Sequence, residues 1–93
     1  MTDVQRVDER SRYELVADDG DVIGFADYRD DGTNLVFPHT VIKPEHRGRG
    51  NGDVLVAGAL DDVRQHGRKV VPTCWFVREF IELHPDYADL LAG

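Results

Sequence analysis

The sequence predicts an α+β domain, a mostly antiparallel sheet with helices packed against it in the order β-β-β-α-β-α. Three observations carry that prediction. Two turns, Asp18-Asp19-Gly20 and Asp30-Asp31-Gly32, separate three β-friendly stretches and imply consecutive hairpins. The segment DVLVAGALDDVRQHG that follows repeats its apolar residues at steps of three and four. A short Val-Val stretch and a second apolar-periodic segment then complete the order. The 93 residues leave room for a single domain, 1–93. Folding at this size buries roughly 60–70% of the unfolded chain's surface, enough for one core.

Each element follows from its residues. Arg12 to Ala17 (RYELVA) is a short strand that ends at the first turn, and Asp21 to Tyr28 (DVIGFADY) is the next, ending near the second. Thr33 to Ile42 (TNLVFPHTVI) is a third strand, with Leu35, Phe37, His39 and Val41 on one face and Val36, Pro38, Thr40 and Ile42 on the other. Pro38 has no N–H for a ladder bond, so a break or bulge is expected there. Lys43 to Gly52 is a basic, glycine-rich connection. In the helix after it, Leu55, Val56, Ala59, Leu60 and Val63 form the buried stripe, and Gly67 behind Arg64-Gln65-His66 is a C-terminal stop. Lys69 to Thr73 is a short strand. Cys74 to His84 is a helix ended by Pro85, with Trp75, Phe76 and Phe80 most simply core residues, or part of that aromatic group flanking a bound ligand, and one further apolar turn at Tyr87, Leu90 and Leu91.

Composition excludes several classes. Apolar residues make up 41% and charged residues 31%, with four prolines, which fits a globular domain and not a disordered one. The net charge is −7, with residues 1–32 holding ten acids against four arginines, so nucleic acid is not expected as a partner. Cys74 is the single cysteine, which removes any internal disulfide and suits a reducing compartment. The N-terminal stretch has no apolar signal-peptide core, and no apolar run approaches ~18 residues. A cytoplasmic protein without membrane contact, monomeric or weakly dimeric, is expected. The four histidines and Cys74 lack metal-ligand spacing, so no metal site is expected.

The loop Arg47-Gly48-Arg49-Gly50-Asn51-Gly52 lies between a strand and a helix, a place that favours anions. A helix start offers backbone N–H groups without intrahelical acceptors and the positive end of the dipole. Glycines admit a phosphate close to the backbone, and Arg47 and Arg49 add charged donors. Neither the dinucleotide fingerprint, which would need glycine where Asp53 stands, nor a P-loop Gly-Lys-Ser/Thr is present. From the residues alone, the loop is either an anion site or a turn whose glycines only relieve strain.

Arg47-x-x-Gly50-x-Gly52 at a helix start resembles the acetyl-CoA pyrophosphate motif of the GNAT superfamily of N-acetyltransferases. Phe37-Pro38-His39-Thr40, Pro44, Pro72-Thr73-Cys74, Phe76-Val77, Ile81 and His84-Pro85-Asp86-Tyr87 extend the likeness, in order, to its small single-domain YjdJ-like branch. The resemblance implies a minimal GNAT-like fold and an acetyltransferase that moves acetyl from acetyl-CoA to an amine, on a small molecule, a protein lysine or an N-terminus. It places the pyrophosphate on Arg47, Gly48, Arg49, Gly50, Asn51 and Gly52, and the pantetheine arm along Val41 and Ile42. It also places Cys74 near the acetyl group. Relatives often carry Glu directly after the His-Thr pair, where this chain has Val41.

Cys74 and His39 are the candidate catalytic residues. A predicted helix start favours the thiolate of Cys74, while buried free cysteines are ordinarily inert. His39 is either a hydrogen-bonded structural histidine on the core side of its strand or a base for the attacking amine. His84, before Pro85, is either a second base near Cys74 or a cap on its own helix. Direct transfer is favoured over a thioester at Cys74. The two rival readings are a CoA-binding module without turnover, which Val41 favours, and an acidic interaction domain whose loop binds anions.

Overall fold

The computed structural model describes residues 2–92. Five strands form one sheet in the order β1 (Asp3–Val7), β2 (Arg12–Val16), β3 (Val22–Asp30), β4 (Leu35–Ile42), β5 (Val70–Val71). The first four are an antiparallel meander; β5 adds parallel to β4 after helix α1 (Asn51–Gln65), and helix α2 (Trp75–Leu83) follows. The expected α+β class is therefore present, with one strand more than the sequence predicts. That strand, β1, has little alternation of its own. It pairs with β2 along its length, and Val4 sits so close to α1 that a Cβ on Gly58 would lie 2.5 Å from it. The glycine in mid-helix makes the groove that β1 occupies, a tertiary cause that no local pattern displays.

The core lies between one face of the sheet and the two helices. Tyr13, Leu15, Ile23, Ala26 and Phe37 meet Leu55, Val56, Ala59, Leu60 and Val63 of α1, together with Val77, Phe80 and Ile81 of α2. The stripe predicted for α1 is the stripe it buries. Asp61, exposed, and Asp62, half-buried, on the same helix both carry long-range hydrogen bonds. Asp61 accepts from the Tyr87 hydroxyl at 2.8 Å, and Asp62 from the Tyr13 hydroxyl at 2.8 Å and Arg6 at 3.0 Å. Glu14, on the opposite face of the sheet, is only 7% exposed and ion-paired with Arg12 at 2.7 Å.

One irregularity decides where the functional residues point. Asp27 pairs with His39 but Arg29 with Val36, so two residues of β4, Phe37 and Pro38, stand opposite Tyr28. This bulge is the break expected at Pro38, and it shifts the alternation of β4 by one residue. Leu35 and Phe37 before it face the core, as predicted, but after it Thr40 and Ile42 take that side, opposite Ala26 and Gly24. His39 and Val41 move to the other face. His39 is accordingly exposed, and the expectation of a half-buried histidine among core residues is corrected.

Candidate functional site

Strand β4 has a partner on only part of its outer edge. It pairs with β5 at Leu35–Val70 and Val36–Val71, and Phe37 O then accepts from the Cys74 amide at 2.9 Å and the Thr73 hydroxyl at 3.3 Å. Past that point the chain turns away into α2, and, among the described residues, positions 38–42 of β4 have no neighbouring strand on that side. On the inner side Lys43 N bonds Ile23 O, so strand alternation turns the backbone groups of Thr40 and Ile42 toward the open edge. Ile42 O there accepts from Arg47 Nε at 2.9 Å.

The loop after β4 ends in an uncapped helix. Gly48 and Gly50 both have φ of +77, a left-handed conformation that glycine adopts without a Cβ penalty. Gly50 is the N-cap of α1 and supplies no side chain; the first intrahelical bond is Val54 N to Gly50 O at 3.2 Å. The amides of Asn51, Gly52 and Asp53 therefore lack intrahelical acceptors. The Asn51 side chain ties the loop by donating to His46 O at 3.0 Å. Gly52 has a different reason to be glycine: a Cβ would lie 2.7 Å from the Phe76 ring, which packs on the first turn. The two arginines also differ. Arg47 is bound to the strand it follows, whereas Arg49 is exposed and, among the described residues, has no side-chain partner.

The open strand edge and the loop bound one cleft of about 520 Å³. It brings together Val41, Ile42, Arg47, Gly48, Gly50, Asn51 and Gly52, with Arg49 beside them in the loop. It also takes in Thr40 and Asp53, which the sequence did not nominate, together with His46 of the basic loop and the aromatic residues Trp75 and Phe76. Thr40 was detectable only through the bulge, because without it the residue belongs to the opposite face. Trp75 departs furthest from expectation: it is 65% exposed at the lip of the cleft and not in the core.

Cys74 lies just behind the cleft, 8% exposed, its Sγ donating to Thr40 Oγ1 at 3.6 Å. The histidines do not converge on it. His84 donates from Nδ1 to Phe80 O at 2.8 Å and stacks on the Phe80 ring, closing the C-terminus of α2. His39 is on the far side of β4 from the Thr40 and Cys74 side chains, opposite Asp27.

A family model for GCN5-related N-acetyltransferases matches residues 12–90, nearly the whole chain. The chain belongs to that family. The NMR solution structure of a GCN5-like protein from Staphylococcus aureus superposes with a TM-score of 0.72, covering 98% of this chain and 88% of that one at 21% identity. At that identity the likeness speaks for the GNAT fold alone. No curated protein is significantly similar in sequence. Membership in the GNAT family makes acyl transfer the general reaction class. Among the described residues no helix is long and apolar enough to cross a membrane.

Proposed function

We propose that this chain binds acetyl-CoA in the cleft beside β4 and transfers the acetyl group directly to an amine. The observation that carries this reading is the continuity of the cleft: anion-binding groups at one end and an unpaired strand edge running to Thr40 and Cys74 at the other. The residues fit the group. The free amides of α1 and the Arg49 guanidinium suit a pyrophosphate, and the outward backbone groups of Thr40 and Ile42 suit the amides of a pantetheine arm. When bound, acetyl-CoA supplies an activated acyl thioester. The N–H groups on the open edge of β4 stabilise negative charge that develops at the carbonyl oxygen. His39, solvent-exposed on the other face of β4, takes the amine proton through water as the thioester C–S bond breaks, and the departing CoA thiolate is protonated by solvent. Cys74 has a threonine hydroxyl and no base as its side-chain partner, which favours direct transfer over a thioester on the protein.

A second reading, binding without turnover, rests on Val41. This residue is 38% exposed at the position where a carboxylate would serve as base. A thermal-shift titration followed by a thiol-release assay separates the two. Acetyl-CoA at ~100 times its dissociation constant adds about 2.7 kcal/mol and raises Tm by on the order of 10 °C, well beyond ATP or pyrophosphate. Release of free CoA with an amine panel then supports the enzyme; a shift without release supports the binding module. A flat melting curve with acetyl-CoA overturns both.

A further inference from the structure

We infer that Trp75 is a stacking platform for the adenine base of the CoA donor, an inference that rests on the binding reading above. Trp75 is the only tryptophan of the chain and is 65% exposed, an unusual position for a ring that covers so much apolar area. It stands edge-on to Phe76 at 5.7 Å between centroids, and Phe76 is itself seated on Gly52 at the start of α1. The platform is thus anchored to the loop that suits the phosphates.

Both rings also border a second groove of about 160 Å³, continuous with the cleft and edged by Asp53 and Glu79. Charge sorts the donor between the two. Asp53 lines both, but Glu79 borders the second groove alone, so negative charge is denser there and the pyrophosphate belongs at the amides and Arg49. The base is uncharged, has a π-face for the indole, and carries an exocyclic amino group that an acid can accept from. An aromatic surface with an acidic edge, sharing Trp75, Phe76 and Asp53 with the cleft that contains the glycine loop, is matched to a base that follows a pyrophosphate.

The single tryptophan makes the test direct. Fluorescence of the full chain is titrated with acetyl-CoA and, separately, with 4′-phosphopantetheine, which has the arm but no base; binding of each is followed in parallel by thermal shift. Stacking predicts saturable quenching by acetyl-CoA and little by phosphopantetheine. Trp75→Ala is expected to weaken acetyl-CoA about tenfold and leave phosphopantetheine unchanged, with Trp75→Phe close to wild type. Equal quenching by both ligands overturns the inference in favour of contact with the arm. A thermal shift with acetyl-CoA while fluorescence and the Trp75→Ala affinity stay unchanged overturns it and leaves the cofactor reading standing. No shift with either ligand overturns both.

Discussion

The two ends of the sheet carry similar side chains and use them in opposite ways. Where α1 finishes, Arg6, Asp8, Asp30, His66 and Arg68 surround a cavity of about 240 Å³. Each of them is bound to another residue of the chain. Arg6 bridges Asp62 and Asp8 at 3.0 Å each, and donates to His66 Nε2 at 3.1 Å. Arg68 binds Asp30 at 2.8 Å and, with the Gly32 amide, holds that carboxyl down at about 2. Burial, and then the bond to Asp62, lifts the Tyr13 phenol well above its ordinary range. At the other end, among the described residues, the first-turn amides of α1, the backbone of Thr40 on the outer edge of β4 and the Arg49 side chain have no such partners, although Ile42 O is taken by Arg47. Concavity is common to both ends; what marks the second as a site is polar groups that the fold leaves for something else to satisfy.

The comparison breaks most sharply at Gly50. Gly50→Asp forces a side chain into a left-handed position, at a cost of about 1–2 kcal/mol, and puts a carboxylate into the proposed phosphate site. Calorimetry should show acetyl-CoA affinity falling on the order of a hundredfold. Affinity within threefold of wild type would remove the loop from the site. Asp62→Ala should give the reverse signature. It strips the buried Tyr13 hydroxyl and Arg6 of a shared acceptor, costing about 1–3 kcal/mol in a denaturant melt, with acetyl-CoA affinity unchanged. A loss of affinity there would mean that the two ends are coupled.

The sequence exposed the second end better than the first, for physical reasons. The loop is local: its glycines and arginines sit within six residues, and their chemistry can be read from their spacing. The apolar stripe of α1 and the Asp-Gly turns are equally local. The paired end is built from partners 49 and 56 residues apart, Tyr13 and Arg6 with Asp62, so no local pattern marks Asp62 as a paired residue. Strand β1 depends in the same way on Gly58. His39 and Thr40 exchanged faces because a proline announces a bulge without giving its register. Trp75 looked like a core residue because its helix is strongly amphipathic, and only the packing of Phe76 on Gly52 shows which aromatic ring is left outside.

Arg49→Glu sharpens the comparison with a smaller effect. The side chain is exposed and, among the described residues, has no side-chain partner, so the fold should melt within a degree or two of wild type. Affinity for acetyl-CoA should fall about tenfold at low salt and by less at high salt, because an exposed charge is screened. An equal loss at both ionic strengths would show the effect to be structural. His39→Gln addresses the catalytic step: turnover should drop with acetyl-CoA affinity unchanged, whereas parallel losses would return His39 to a structural role.

The weakest expected effect is the response of the paired end to alkali. The three tyrosine hydroxyls each donate to an aspartate: Tyr13 to Asp62, Tyr28 to Asp8 and Tyr87 to Asp61. Burial and these bonds push Tyr28 and Tyr87 up to about 12, and Tyr13 higher still. A phenol in the unfolded chain titrates near 10. Between those values the unfolded state releases protons that the folded state retains, so it binds fewer protons and stability falls as pH rises. The stabilisation should be whole below about pH 10 and decline from there toward 12. The slope should be shallower in Tyr28→Phe, which cannot ionise at that position. No tyrosine lines the cleft, so acetyl-CoA affinity of the folded protein should not follow the same curve. A melting temperature that stays level through pH 12, or an identical slope in Tyr28→Phe, would mean that these hydroxyls are not held as the paired end requires.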